Sequence, residues 1–346
     1  MRRNGSTPPT GWFGGLLCPA ALLAALLSTL MFVSLAGAGP DKAARKTERA
    51  SLMLQWTPQA QFAGFYMAQE KGFYKARGVN MMLIPGGPDR VASDWLDSRN
   101  ADFCTMFLST ALERFDSGLP LVNVGQFMHH SALMIIARKG MGIRKPGDLD
   151  RRKLSMWANE FQIQPRALFR SLGVRPVYVP LGASMDLFLR GAVHATLGMW
   201  YNEYHTILSS GLTEDELEPI FFRDTDFDFP EDGVYCLRTT LEQRPEVVRA
   251  VIEASGEGWE YAFAHEEETL DVIMAKMEEA GLPATRVHQR WMLRRMKDLI
   301  MSADGSVSAV LNRGTFDHVA RVLLESDVVR QTPLYEDFYR GPEDDR

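Results

Sequence analysis

Three tryptophans recur at one kind of position. Trp56, Trp157 and Trp200 each directly follow a short apolar run predicted to be a buried strand. In an open α/β sheet the carboxyl ends of strands form the crevice where ligands bind. A single tryptophan there is more readily a ring capping the core beneath a loop, but three at equivalent places point to one binding wall. Two of them open the same pattern, Trp157-Ala158-Asn159-Glu160 and Trp200-Tyr201-Asn202-Glu203. An indole stacks on a flat ring, an Asn amide both donates and accepts, and a carboxylate seeks N–H or cationic groups. Together they suit a nitrogen-rich heterocycle. After Trp56 come Gln59 and Gln61, two more amides for a hydrogen-bonding wall. Gly86-Gly87-Pro88-Asp89 lies between a predicted strand and helix, where backbone N–H groups can hold an anion, although a plain tight turn is the favoured reading. Phe62, Tyr66, Ser109 and Gln126 complete the candidate ligand contacts.

No residue pattern proposes catalysis. His129 and His130 are adjacent, so on a strand they point to opposite faces and do not readily share a metal. Metalloprotease, nucleophile-elbow, dinucleotide and phosphate-loop motifs are missing from the sequence, and no Cys-x-x-Cys occurs. The expectation is a non-enzyme with no catalytic residue, no metal and no cofactor. The net charge of −6 argues against a nucleic-acid partner.

The elements that would hold these residues alternate as in an α/β protein. Predicted strands are Ser51–Gln55, Asn80–Ile84, Asp102–Met106 and Leu121–Gln126, with helices at Phe62–Lys75, Asp89–Ser98 and Ser109–Ser117. This reads as one parallel, doubly wound lobe. A strand at Ala132–Ala137 is followed by Gly140, Gly142, Pro146 and Gly147, breakers at which the chain is expected to pass to a second lobe. There the alternation restarts, with strands at Lys153–Met156, Pro176–Val179, Ala195–Met199 and Ile220–Arg223, and helices at Pro165–Leu172 and Ser184–Arg190. Gly233–Thr239 is one more strand, and from Pro245 onward the apolar spacing is helical. Within that part Arg286, Arg290, Arg294, Arg295 and Lys297 read as a solvated helix face. The fold class is therefore α/β: two doubly wound lobes with a hinge and a ligand cleft between them. Residues 51–138 and 232–346 form the first lobe, and 139–231 the second.

Ahead of them, Arg2 and Arg3 precede an apolar run from Leu16 to Leu35 that ends in Ala36-Gly37-Ala38. Such a layout is that of a secretory signal over residues 1–38, with cleavage expected after Ala38 and a linker over 39–50. The run is long for a signal, which leaves an uncleaved anchor as the alternative. Either way the remainder is expected outside the cytoplasmic membrane. Cys104 and Cys236 would be the only cysteines left, too few for a disulfide framework.

The segment Leu54-Gln55-Trp56-Thr57-Pro58-Gln59-Ala60-Gln61-Phe62-Ala63-Gly64-Phe65-Tyr66 is specific enough to suggest a family. With Gly86-Gly87-Pro88-Asp89, Trp200-Tyr201-Asn202-Glu203-Tyr204 and Gly258-Trp259-Glu260-Tyr261-Ala262, it resembles the thiamine-pyrimidine-precursor (formylaminopyrimidine) binding proteins of ABC transporters, over roughly Ser51 to Met274. The resemblance implies a type II periplasmic-binding-protein fold that encloses its ligand at the hinge, and ligand contacts at Trp56 and around Asn202-Glu203. It also implies a small pyrimidine-like ligand or other flat heterocycle, a membrane ABC permease as partner, and a monomer. Relatives that handle the thiamine pyrimidine carry a His where this chain has Phe62, and Asn where it has Gln59 and Gln61. Riboflavin or a sulfonate as ligand, and a role as sensor partner, therefore stay open. So does a synthase like the eukaryotic members of the superfamily, although their cysteine-rich iron motif is missing from this sequence.

Overall fold

The computed structural model describes residues 47–182 and 184–342. The expected signal, and the first part of the expected linker, lie outside the described residues. Ten strands form two five-stranded sheets. The first contains β1 (Glu48–Met53), β2 (Val79–Ile84), β3 (Phe103–Met106), β4 (Leu121–Gln126) and β10 (Gly233–Leu237), in the order β2-β1-β3-β10-β4. The second contains β5 (Leu133–Arg138), β6 (Lys153–Met156), β7 (Val177–Pro180), β8 (Ala195–Met199) and β9 (Leu217–Phe221), in the order β7-β6-β8-β5-β9.

Both sheets are mixed. β1 pairs in parallel with β2 and β3, but β10 runs antiparallel between β3 and β4. In the second sheet β6 is parallel to β7 and β8, and β5 runs antiparallel between β8 and β9. An all-parallel lobe was the expectation from strand-helix alternation. The odd strand in each sheet is the one that has just arrived from the other lobe, so it enters in the opposite direction.

The domain limits need two corrections. The strand Leu133–Arg138, assigned to the first lobe, pairs in the second sheet, so the first crossing runs through residues 127–132 and not at Gly140. Gly140 and Gly142 take positive φ values of 86° and 70° in a turn inside the second lobe. The true crossing contains no Gly or Pro and carried no breaker signal. Likewise Glu48, Arg49 and Ala50 belong to β1, paired with Val79, Asn80 and Met81, and not to a linker.

Helices cover the sheets. The first expected helix divides into Ala63–Glu70 and Phe73–Ala76, because Gly72 sits at φ 74° between them. The 20-residue helix Pro245–Ala264 packs on Ala63–Glu70. A Cβ on Gly258 would lie 2.1 Å from the Gly64 carbonyl oxygen, so the Gly258-Trp259 motif fixes a helix–helix contact. Arg286–Ile300 and Arg313–Glu325 lie on the first lobe and touch helices of the second. Cys104 and Cys236 are both free and buried. Among the described residues no helix is long and apolar enough to cross a membrane.

Candidate functional site

Where the ends of β1, β3, β6 and β8 face one another, ten side chains converge: Trp56, Gln59, Gln61 and Phe107 from the first lobe, and Trp157, Phe161, Met199, Tyr201, Asn202 and Glu203 from the second. The space left between them is ≈ 20 Å³, room for about one water. A heterocycle enters only with these walls moved apart.

The first-lobe wall is held by its own backbone. Gly86 N–H donates to the Trp56 carbonyl over 3.0 Å, and a Cβ on Gly86 would stand 2.2 Å from the Leu54 carbonyl oxygen. Gly86 therefore lets the segment after β2 lie directly against the Trp56 loop. Gln59 donates from Nε2 to Gln61 Oε1 over 2.6 Å, and Gln61 donates onward to Asp232 Oδ2 over 2.8 Å. The second-lobe wall starts at the N-terminus of the helix Glu203–Ser209. Glu203 Oε2 accepts from the Met199 N–H and Oε1 from Asn202 Nδ2, each over 2.8 Å. Burial raises the Glu203 carboxyl, and these bonds oppose the rise. The Tyr201 phenol is pushed well up by burial and then by the charges of Asp232, Glu231 and Glu203, so it stays a neutral donor.

Behind the cleft the second crossing ends in two fully buried carboxyls. Glu231 Oε1 accepts from Ser131 Oγ and Ala132 N over 2.8 and 2.9 Å, tying the second crossing to the first. Asp232 accepts from Gln55 Nε2 as well as from Gln61. Burial pushes Glu231 up to about 8, helped by Asp232, and Asp232 up to about 7.

The structure brings seven expected contacts together at the cleft, Trp56, Gln59, Gln61, Trp157, Tyr201, Asn202 and Glu203, and sends the others elsewhere. Trp200 turns outward against Phe221 and lies under the guanidinium groups of Arg223 and Arg295, at 4.4 and 4.6 Å. Asn159 caps the short turn Glu160–Gln162 by accepting from the Phe161 N–H. Glu160 reaches across to Ser93 and Arg114, and burial lifts its carboxyl to about 7 against the pull of Arg114. Phe62 and Tyr66 are core residues of the first lobe. Gln126 braces the crossing by donating to the Met128 carbonyl, Ser109 is buried at the start of the helix Leu108–Asp116, and Gly87 lies outside the cleft lining. Phe107, Phe161 and Met199 were not anticipated. Only Phe161 had a signal: an aromatic residue comes directly after Trp-x-Asn-Glu in both copies of the pattern, as Phe161 and Tyr204.

A larger groove of ≈ 1140 Å³ runs along the helix Pro245–Ala264, beside residues 306–310 and 340–342. Of its charged groups, Arg77 pairs with both Glu253 and Glu257, while Arg249, Glu260, Asp304 and Arg340 also line it, and among the described residues Phe127 is its one aromatic. Among the described residues no group of three or more His, Cys, Asp or Glu could hold a metal ion.

Two sheets joined by two crossings, each with its odd strand antiparallel, define a two-lobed periplasmic binding protein fold. The sulfonate-binding protein SsuA of Escherichia coli shares it, with a TM-score of 0.63 and 15% identity over 86% of this chain and 93% of that one. Residues 59–269 match the family described as NMT1/THI5 like, and the chain belongs to that family. It is similar to the riboflavin-binding protein RibY of Chloroflexus aurantiacus, 23% identical over 71% of both chains. It is also similar to the formylaminopyrimidine-binding protein of Halalkalibacterium halodurans, 20% identical over 75% of this chain and 79% of that protein. A pyrimidine phosphate synthase of Saccharomyces cerevisiae, THI12, is 23% identical over 44% of this chain and 46% of its own length.

Proposed function

We propose that this protein is an extracytoplasmic solute-binding protein, which captures a flat nitrogen heterocycle between its lobes and delivers it to an ABC permease in the membrane. One observation carries the reading: indoles, amides and a carboxylate from both lobes converge on a single cleft. Stacking fixes the plane of the ligand, and Gln59, Gln61, Asn202 and Glu203 offer donors and acceptors around its edge. Because the two walls belong to different lobes, a ligand touching both favours the closed form by its extra contacts there. Relatives named for riboflavin and for formylaminopyrimidine fit this ligand class. Among the described residues no Arg or Lys lines the cleft, which disfavours a sulfonate.

Riboflavin and 4-amino-5-hydroxymethyl-2-methylpyrimidine are the first probes, read by tryptophan fluorescence and melting temperature. Saturable binding is expected, with Trp56→Ala and Glu203→Gln each weakening it about tenfold or more, a loss of about 1.4 kcal/mol. No response to either compound at millimolar concentration removes the support for this reading.

A synthase is the second reading, favoured by the yeast relatives. Against it, among the described residues no His, Lys or Cys lines the cleft to serve as nucleophile or base. A pyridoxal chromophore in the purified protein would revive it.

A further inference from the structure

Phe161 is the ring at the centre of the cleft. It belongs to the second lobe, in the turn Glu160–Gln162 after β6. Its ring centroid lies 5.5 Å from Trp56 at 61°, 5.1 Å from Phe107 at 40° and 5.9 Å from Trp157 at 75°. Trp56 and Phe107 come from the first lobe, so a second-lobe side chain is lodged in an aromatic box built by both. The turn has a polar foot on the first lobe as well, since Glu160 approaches Ser93 Oγ at 3.4 Å and Arg114 at 3.8 Å. With ≈ 20 Å³ remaining, no second ring fits beside Phe161.

We propose that Phe161 determines which ligands the cleft takes: its phenyl group occupies the stacking slot, and a flat heterocycle binds by exchanging with it as the turn Glu160–Gln162 lifts from Trp56 and Phe107. The inference rests on the cleft being the binding site. Its chemical consequence is selectivity. An apolar single ring merely replaces the edge-on and tilted aromatic contacts that Phe161 already makes. A ring that also bonds to Gln59, Gln61, Asn202 or Glu203 adds interactions the phenyl group cannot make, and displaces it. The resident ring thus discriminates between nitrogen heterocycles and plain aromatics.

The test compares wild type with Phe161→Ala and Phe161→Leu, probing each with toluene, 4-aminopyrimidine and riboflavin by fluorescence and melting temperature. Phe161→Ala is expected to bind 4-aminopyrimidine at least about tenfold more tightly than wild type, and to respond to toluene where wild type does not. Phe161→Leu, which preserves apolar volume without a flat face, gives a smaller gain in the same direction and carries the test if the Ala variant does not fold. Equal or weaker binding of the ring probes by a cooperatively unfolding variant overturns the proposal. The capture reading fails separately, when wild type binds no heterocycle. Toluene binding to Phe161→Ala still reports on the slot in that case.

Discussion

Asn202 gives its amide N–H to Glu203 and pairs through its carbonyl with His288, whereas Asn159, at the matching place in the other Trp-x-Asn-Glu copy, accepts from the Phe161 N–H. The same four residues open different structures. Asn202-Glu203 starts a seven-residue helix whose first turn faces the cleft, and Asn159-Glu160 starts a single 3-10 turn that swings its carboxylate to the first lobe. Side-chain chemistry was readable from sequence, but the direction of each side chain is set by the backbone that continues from it. Gly86 illustrates a residue whose role is purely one of space. Gly86→Ala forces a methyl group to within 2.2 Å of the Leu54 carbonyl oxygen, so the Trp56 loop must shift. A loss of about 1–3 kcal/mol is expected from overpacking of this kind, with weaker heterocycle binding alongside it. Urea denaturation with an unchanged midpoint for Gly86→Ala would mean that the close approach does not position Trp56.

Elements were largely legible, because buried strands and amphipathic helices impose their own spacing on the sequence. β4, β6 and β8 occupy the expected ranges, and long helices fill the part from Pro245 onward where the apolar spacing is helical. What could not be read was long-range: the direction in which β5 and β10 enter their sheets, and the crossing at 127–132, where no Gly or Pro marks the path. Arg295 was another such case. It belongs to a run expected to face solvent, yet its guanidinium lies over both Trp200 and Trp291, where the helix Arg286–Ile300 meets the second lobe. At the same contact His205 Nδ1 and His288 Nδ1 are 2.8 Å apart, His288 Nε2 is 2.8 Å from Asn202 Oδ1, and His205 stacks on Trp291. Burial lowers both imidazoles, His288 to about 4 with the help of His205. A depressed folded pKa means that this contact contributes fully above the ordinary histidine value and is lost as pH falls toward 4. The histidine pair is therefore expected to lower the melting temperature on acidification below about pH 6.5, and His288→Gln to soften that acid limb. Identical acid limbs for the two proteins would remove the histidine pair as the cause.

The whole molecule adds an opposing dependence, because the two crossings are tied together by carboxyls whose pKa burial raises. Glu231 binds the Ser131 hydroxyl and Ala132 N–H of the first crossing and the Leu133 N–H at the start of β5, while Asp232 holds Gln55 and Gln61 behind the cleft. In the unfolded chain both carboxyls ionise near about pH 4. In the folded protein Glu231 is raised to about 8 and Asp232 to about 7. A raised folded pKa contributes stability that is complete below the unfolded value and is lost as pH climbs through the folded one. Acidification thus strengthens the hinge while it weakens the histidine contact between the lobes. Between about pH 4 and 6.5 the two trends oppose each other, and from about 6.5 to 8 the carboxyl loss continues without the histidine gain, with Glu160, also raised to about 7, adding to it. Glu231→Gln retains an acceptor for the first crossing and cannot ionise, so over that upper interval its melting temperature should fall less than that of wild type. If wild type melts at one temperature throughout the interval, or if Glu231→Gln declines in parallel with it, the hinge does not depend on protonated carboxyls. Ligand affinity supplies an independent check, because ionising Glu231 and Asp232 puts adjacent like charges behind the closed cleft. Heterocycle binding to wild type should weaken above about pH 8, and Glu231→Gln should retain it.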